Sequence, residues 1–280
     1  MGQGLGQSAK FTAVKVIAYL IEKALMDETQ LFYDDLARDY HLIHPDWEAE
    51  VRQQAGLLDR LLRDRLRAGP LRVLDCTCGI GTQALGLAQL GHDVVGTDLS
   101  PVAIKRAHEV ASSKGTAAWF KVCDVRQVHS EVFGDFDVVL SCHNSLPHLL
   151  SALDLSDAIA SMAAKVRPGG LLLLGVRDYD EIVSSHPPAT LPKIRGEADR
   201  RRLVFQTWTW HPDGLTYDLE HFLGIERDGA WTFQTRRVRC RAIVRTELLD
   251  LVTATGLVRG QCLEPQETGF FELLYVAAKP

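Results

Sequence analysis

From residue 71 onward, short apolar runs alternate with segments whose apolar residues recur three and four positions apart. The runs end at Asp75 or Cys76, Asp98, Cys123, Ser141 and Val176, and helical spacing fills the stretches after residues 82, 101 and 159. Such alternation predicts an α/β, Rossmann-like parallel sheet with helices on both faces. Ser100-Pro101 supplies a cap and a proline at the first helical position, and Pro168-Gly-Gly170 closes the helix that precedes the fifth strand.

The rhythm changes after Tyr179. Residues 180 to 200 read as loop. Extended segments at 202–210, 215–225 and 231–238 are then separated by Pro212-Asp-Gly214 and Arg227-Asp-Gly229, turn sequences that predict an antiparallel meander. A helix at 246–255 and a strand at 270–278 follow. Upstream, residues 1–9 are small and polar and expected to be disordered, and 11–27 have helical spacing. Residues 31–47 are dense in aromatics and histidines, and Asp46 caps a helix beginning at Trp47. This head is either a helical hairpin packed on the core or a lid over a ligand. The expected organisation is a helical extension at 1–70, a ligand-binding core at 71–179, a β insertion at 180–242 and a completing helix and strand at 243–280.

The candidate chemistry centres on Val73-Leu-Asp-Cys-Thr-Cys-Gly-Ile-Gly-Thr-Gln83, a strand–turn–helix unit whose glycines let a ligand lie against bare backbone. Gly79-x-Gly81-x-x-Ala84 also fits the dinucleotide fingerprint. Three acids in step with three strand ends favour S-adenosylmethionine instead. Asp75 can hold the methionine amino end indirectly or support the turn, Asp98 can accept both ribose hydroxyls, and Asp124 can meet the adenine amino group with Val125 beside it. Each acid taken alone also reads as a cap or turn former.

Bulk properties narrow the partners. The 280 residues carry a formal charge of −5, with 46% hydrophobic and 24% charged residues. That balance predicts a globular chain with no nucleic acid as partner, and no apolar run is long enough to span a bilayer, so no membrane partner is expected. No cleavage-like region follows the start, so a cytoplasmic location is expected. The six cysteines lack paired metal spacing and read as buried free thiols, with no metal. The apolar stretch 11–25 could serve as a lid or as a contact between copies in a homo-oligomer.

Residues 71–179 resemble a class I S-adenosylmethionine-dependent methyltransferase. Asp75-Cys-Thr-Cys-Gly-Ile-Gly81 is similar to its first motif, and Asp98, Asp124 and Asp135-Phe-Asp-Val-Val-Leu140 match later ones. Within that group the chain looks most like the glycine N-methyltransferase branch. The resemblance rests on Asn144-Ser-Leu-Pro-His-Leu149, on Val166-Arg-Pro-Gly-Gly-Leu-Leu172 leading to Arg177-Asp-Tyr-Asp180, and on the pattern from Tyr33 to Ile43. It implies a seven-stranded sheet, S-adenosylmethionine as cofactor and methyl transfer to a small amine bearing a carboxylate. It also implies cofactor contacts from Asp75, Cys76, Gly79, Gly81, Asp98, Leu99, Asp124, Val125, Ser141 and Tyr40. Arg177 would bind the substrate carboxylate, with Asn144, Tyr33 and Tyr179 nearby; the alternative for Arg177 is a salt bridge to Asp178 or Asp180.

Two departures matter. The family's Gly-Asn is His143-Asn144 here, and Ile43 stands where the family sets a tyrosine against the sulfonium, with Tyr40 as the neighbouring aromatic. Both argue against glycine itself as the acceptor, and a pocket walled by the insertion and the N-terminal helices could take a bigger amino or carboxylic acid. With an imidazole pKa near 6.5, His143 is the first candidate base and His148 the second; Asn144 completes the candidate catalytic set. The alternatives are O- or C-methylation, another reaction of S-adenosylmethionine, and a non-catalytic module that binds it.

Overall fold

The computed structural model describes residues 27–196 and 201–280; the expected disorder at 1–9 and most of the expected helix at 11–27 lie outside them. Two sheets organise the chain. The larger contains β1 (Arg72–Asp75), β2 (Asp93–Asp98), β3 (Ala118–Val122), β4 (Phe136–Ser141), β5 (Val166–Val176), β10 (Val258–Leu263) and β11 (Leu273–Ala278), in the order β10-β11-β5-β4-β1-β2-β3. β1 to β5 run parallel, whereas β11 is antiparallel to β5 and β10 to β11. The inner strands are apolar on both faces because both faces are covered, as a parallel sheet requires.

The chain steps outward from β1 through β2 to β3, then crosses back to place β4 on the other side of β1. The loops after β1 and β4 therefore diverge, and a crevice opens between them at the carboxyl edge. The site follows from this reversal.

The smaller sheet, β6 (Lys193–Arg195), β7 (Arg202–Trp210), β8 (Thr216–Arg227) and β9 (Ala230–Arg241), is an antiparallel meander as expected. Asp228 and Gly229 both have positive φ and form the two-residue β8–β9 turn, the type I′ geometry that matches strand twist. The inner face of this sheet buries Trp208, Tyr217, Leu219, Val238 and Cys240 against Phe32 and Leu36 of α1 (Glu28–Leu36) and against Tyr179. Arg236 adds ion pairs of 2.7 Å to Asp35 and to Asp39, so the insertion and the N-terminal segment close over the crevice together.

α2 (Trp47–Leu66) is capped by Asp46 as expected and packs on α3 (Thr82–Gln89). A Cβ at Gly86 of α3 would lie 2.6 Å from the Ala55 Cβ and 2.7 Å from the Val51 carbonyl, so only glycine allows this helix pair its close approach. α4 (Pro101–Lys114) is capped by Ser100, and α5 (Ala152–Lys165) by Ser151.

Three expectations need correction. Residues 180–200 contain α6 (Tyr179–Ser185), started by Asp178 accepting from the main-chain N–H groups of Asp180 and Glu181. β5 begins at Val166, so Arg167-Pro-Gly-Gly170 belongs to the strand and α5 already ends at Lys165. After α7 (Arg245–Ala254) there is also a further strand, β10, whose residues are mostly exposed on an edge and so lack the apolar alternation that marks inner strands. Among the described residues no helix is long and apolar enough to cross a membrane.

Candidate active site

Two cavities meet at the carboxyl edge of the large sheet. The first, about 370 Å³, is lined by Cys76 to Gly79, Asp98 and Leu99, Asp124 and Val125, and by residues of the loop after β4. The second, about 470 Å³, lies between that loop, the smaller sheet and the N-terminal segment, and includes Asn144, Arg177, Gln206 and Glu272. Four residues border both cavities: Tyr33, Tyr40, His143 and His148.

In the first cavity the backbone does much of the work. Gly79 has φ 54° and Gly81 φ 94°, the left-handed geometry of a turn that brings main-chain N–H groups to a ligand. Asp98 ties this turn to β2, its carboxylate accepting from the N–H groups of Gly79 at 2.8 Å and Ser100 at 2.9 Å. Burial pushes the Asp98 carboxyl up to about 6 despite these bonds. Asp124 caps the turn that carries Val125 and is forked by Arg126 at 3.0 and 3.1 Å, which holds its carboxylate at the cavity edge.

Three expected cofactor residues stand behind the wall. Asp75 is fully buried, accepts weakly from the Thr77 N–H at 3.4 Å, and is pushed up to about 8 by burial. Of its two suggested roles, the geometry matches turn support. Ser141 meets the Thr77 hydroxyl at 2.8 Å, and Gly81 caps α3. None of the three lines the cavity. Thr77, which does, was missed because nothing in an isolated threonine marks it.

The border between the cavities is built from two tyrosine–histidine pairs. Tyr40 Oη lies 2.8 Å from His143 Nδ1, and Tyr33 Oη lies 2.8 Å from His148 Nε2. His143 Nε2 lies 2.8 Å from Gln54 Oε1, which can only accept, so the network assigns the proton to Nε2 and leaves Nδ1 accepting from Tyr40. Burial lowers His143 to about 3 and His148 to about 4. The expectation of a base titrating near 6.5 is corrected on this point: both rings are neutral at physiological pH, and His143 Nδ1 is already engaged. Ile43 lines only the second cavity, while Tyr40 reaches both.

His143 and Asn144 have φ of 60° and 56°, two consecutive non-glycine residues in the left-handed region. Each costs roughly 1 kcal/mol or more over glycine, and such strain gathers at functional loops. It turns the chain sharply after β4 and presents both side chains to the second cavity. The Asn144 side chain accepts from the Arg177 N–H at 3.1 Å and donates to Tyr179 Oη at 3.0 Å, which meets Tyr217 Oη at 2.8 Å. Tyr179 is fully buried and does not line either cavity, so it steadies Asn144 from behind, a correction to its expected place at the substrate.

Arg177 reaches into the second cavity, with NH2 on Gln206 Oε1 at 3.0 Å and its guanidinium over the Trp208 ring at 5.2 Å. Its NH1 is buried with no partner among the described residues. No ion pair to Asp178 or Asp180 forms, because both acids face Arg245. Glu272, six per cent exposed, lines the same cavity and was also missed, although one charge inside the apolar run of residues 270–278 was a signal.

The first cavity suits S-adenosylmethionine: its acids gain from the ligand's positive charges, Asp98 can accept ribose hydroxyls, Asp124 and Val125 can flank the base, and the glycine turn admits close approach. Comparison with known proteins agrees. Residues 73–170 match a methyltransferase domain model. The chain is 31% identical over 138 residues to a glycine/sarcosine N-methyltransferase of Parasynechococcus marenigrum, covering 49% of this chain and 48% of that protein. It thus spans about half the length of such curated relatives. It is 30% identical over 205 residues to a ubiquinone biosynthesis O-methyltransferase of Pseudomonas aeruginosa, covering 71% of this chain and 80% of that one. Its fold resembles that of DesVI from Streptomyces venezuelae, with TM-score 0.70 and 21% identity, over 88% of this chain and 98% of that chain. With the acids at three strand ends and the glycine turn between them, these likenesses mean that the chain belongs to the class I S-adenosylmethionine-dependent methyltransferases.

Proposed function

We propose that the protein transfers a methyl group from S-adenosylmethionine to the amine nitrogen of a small carboxylate-bearing metabolite larger than glycine. The observation that carries this reading is the unpartnered, buried Arg177 NH1 in a cavity sharing one wall with the donor cavity. A guanidinium fork matches a carboxylate geometrically, and an ionised acceptor there would relieve the unpaired donor. The cavity of about 470 Å³ leaves room beyond a two-carbon acid.

S-adenosylmethionine supplies an activated methyl on a sulfonium, so the protein's part is alignment and exclusion of water. Arg177 and Gln206 would anchor the carboxylate end, with Asn144 holding the strand end that carries Arg177. The two tyrosine–histidine pairs form the narrow border through which nucleophile and methyl must meet. Their neutral rings add no charge to repel a sulfonium, and the tyrosine oxygens retain lone pairs for an incoming N–H.

The likeness to an O-methyltransferase supports a second reading, methylation of a hydroxyl, within the same site. Mass spectrometry of products from a panel of amino acids, amines and hydroxy acids separates the two. We expect N-methylated amino acids, and Arg177→Ala should raise KM for them by at least tenfold while leaving donor binding intact. Normal turnover of the carboxylate acceptor by that variant would refute the clamp.

A further inference from the structure

We propose that Glu272 is the counterpart of Arg177 in the acceptor cavity, receiving the acceptor's ammonium group and taking its proton before methyl transfer. The inference rests on the amino-acid acceptor reading above and adds to it the group that handles the nitrogen.

The geometry is specific. Glu272 immediately precedes the last strand, β11, which lies antiparallel beside β5. Its side chain crosses β5 at Gly175: a Cβ there would stand 3.1 Å from Glu272 Oε2 and 3.2 Å from the Cys142 Cα. A glycine at 175 therefore makes room for this carboxylate, two residues before Arg177. The Asn144 N–H donates to the Gly175 carbonyl at 3.2 Å, so the ends of β4, β5 and β11 converge on one point. At that point Arg177, Asn144, His143 and Glu272 all line the acceptor cavity. Glu272 Oε2 is buried and meets no donor in full hydrogen-bond geometry, although the main-chain N–H groups of His143 and Asn144 lie near enough to favour its charge; Arg177 Nη1 is likewise buried without a partner among the described residues. The cavity thus sets an unpaired carboxylate oxygen of Glu272 against unpaired guanidinium nitrogens of Arg177 and Arg195, which together complement a zwitterion. Leaving both unpaired is costly, and an amino acid spanning them satisfies both.

The chemistry also needs such a group. An ammonium has no lone pair, and His143 Nδ1 already accepts from Tyr40. Burial raises the Glu272 carboxyl to about 7, while Arg177 and the main-chain N–H groups of His143 and Asn144 act in the opposite direction. Tyr40 and Cys142 also interact with it and are neutral at this pH because burial raises them, and His44, Glu50, His143, Lys193 and Arg195 line the same cavity. A base is most effective when it titrates near the working pH. In the step, one N–H bond of the ammonium breaks and an O–H bond forms on Glu272. The freed lone pair then makes the N–C bond as the C–S bond breaks, its electrons staying on sulfur. The N-methyl product leaves, and the Glu272 proton goes to water.

The test compares wild type, Glu272→Gln and Glu272→Asp in the full chain. It uses S-adenosylmethionine with glycine, sarcosine and larger amino acids, set against the corresponding hydroxy acids, from pH 6 to 10. Donor binding by calorimetry and thermal unfolding are measured alongside. Glu272→Gln should bind the donor normally yet lose about 10²-fold in kcat/KM at neutral pH. That defect should shrink towards pH 10, where the amine loses its proton unaided, and Glu272→Asp should recover part of the rate. An unchanged pH profile in Glu272→Gln overturns the assignment, whether the rate is normal or falls only in step with stability. If wild type methylates hydroxy acids and no amine, the acceptor reading fails first and the role of Glu272 goes with it.

Discussion

The Tyr40 hydroxyl lies 2.8 Å from His143 Nδ1, and together they form part of the wall between the donor and acceptor cavities. Tyr40 stands in the N-terminal segment and His143 in the loop after β4, so their bond joins the covering segment to the sheet. Gln54 fixes the far side of the ring and is itself held by Gln83 Nε2 at 2.6 Å, which carries the network into α3 beneath the glycine turn. Tyr40→Phe should therefore leave donor affinity within a few-fold while lowering turnover by about 10- to 100-fold through misplacement. Paired measurements of donor Kd and kcat decide it; equal losses in both would refute a positioning role.

His143 sits at φ 60°, where glycine is at ease. His143→Gly and His143→Ala both lose the bonds to Tyr40 and Gln54, but only alanine keeps the left-handed strain. Glycine should be the more stable variant by about 1 kcal/mol, and both should lose activity. Chemical denaturation of the pair measures the difference, and alanine proving as stable as glycine would refute the strain.

Asp98, Glu272 and Asp75 have folded-state carboxyls raised by burial to about 6, 7 and 8. Between about pH 4 and 8 these three groups hold more protons in the folded protein than in the unfolded chain, so their own contribution to stability falls as pH rises; the lowered His143 and His148 act in the opposite sense below about pH 6.5. The contribution of the three carboxyls is complete below the ordinary carboxylate range and is lost as pH climbs through those values. A cationic donor favours the ionised forms, so its binding should release protons and weaken below about pH 6. Calorimetry in buffers of different ionisation enthalpy reads this directly; heats independent of buffer would contradict it.

Gly86→Ala should destabilise by about 1–3 kcal/mol, because the new methyl meets the Val51 carbonyl as well as the Ala55 side chain. Thermal unfolding checks this, and an unchanged Tm would mean that α2 and α3 slide apart without cost.

The core was legible because its elements are written locally. The apolar runs ending at Asp75, Asp98 and Ser141 match β1, β2 and β4, and the Asp-Gly turns set out the second sheet. The same local reading missed α6, where loop-like composition hid an aspartate cap, and β10, whose edge position leaves it polar.

The site divides in the same way. A glycine turn and an acid after each strand can be read in order along the chain, since each sits next to the strand that places it. Sequence alone could therefore determine the fold class and the donor, and mark the acids and glycines that line or brace its cavity. It could not determine which of the expected contacts face the cavity: Asp75 and Ser141 carry suitable groups but lie behind the wall. Nor could it pair Tyr33 with His148, Tyr40 with His143, or Glu272 with Arg177, because those partners are about 95 to 115 residues apart. Only the reversal of strand order at β1 and β4, with β11 returning beside β5, brings them together. That packing, as well as the burial that silences the histidines and raises the acids, belongs to the tertiary structure.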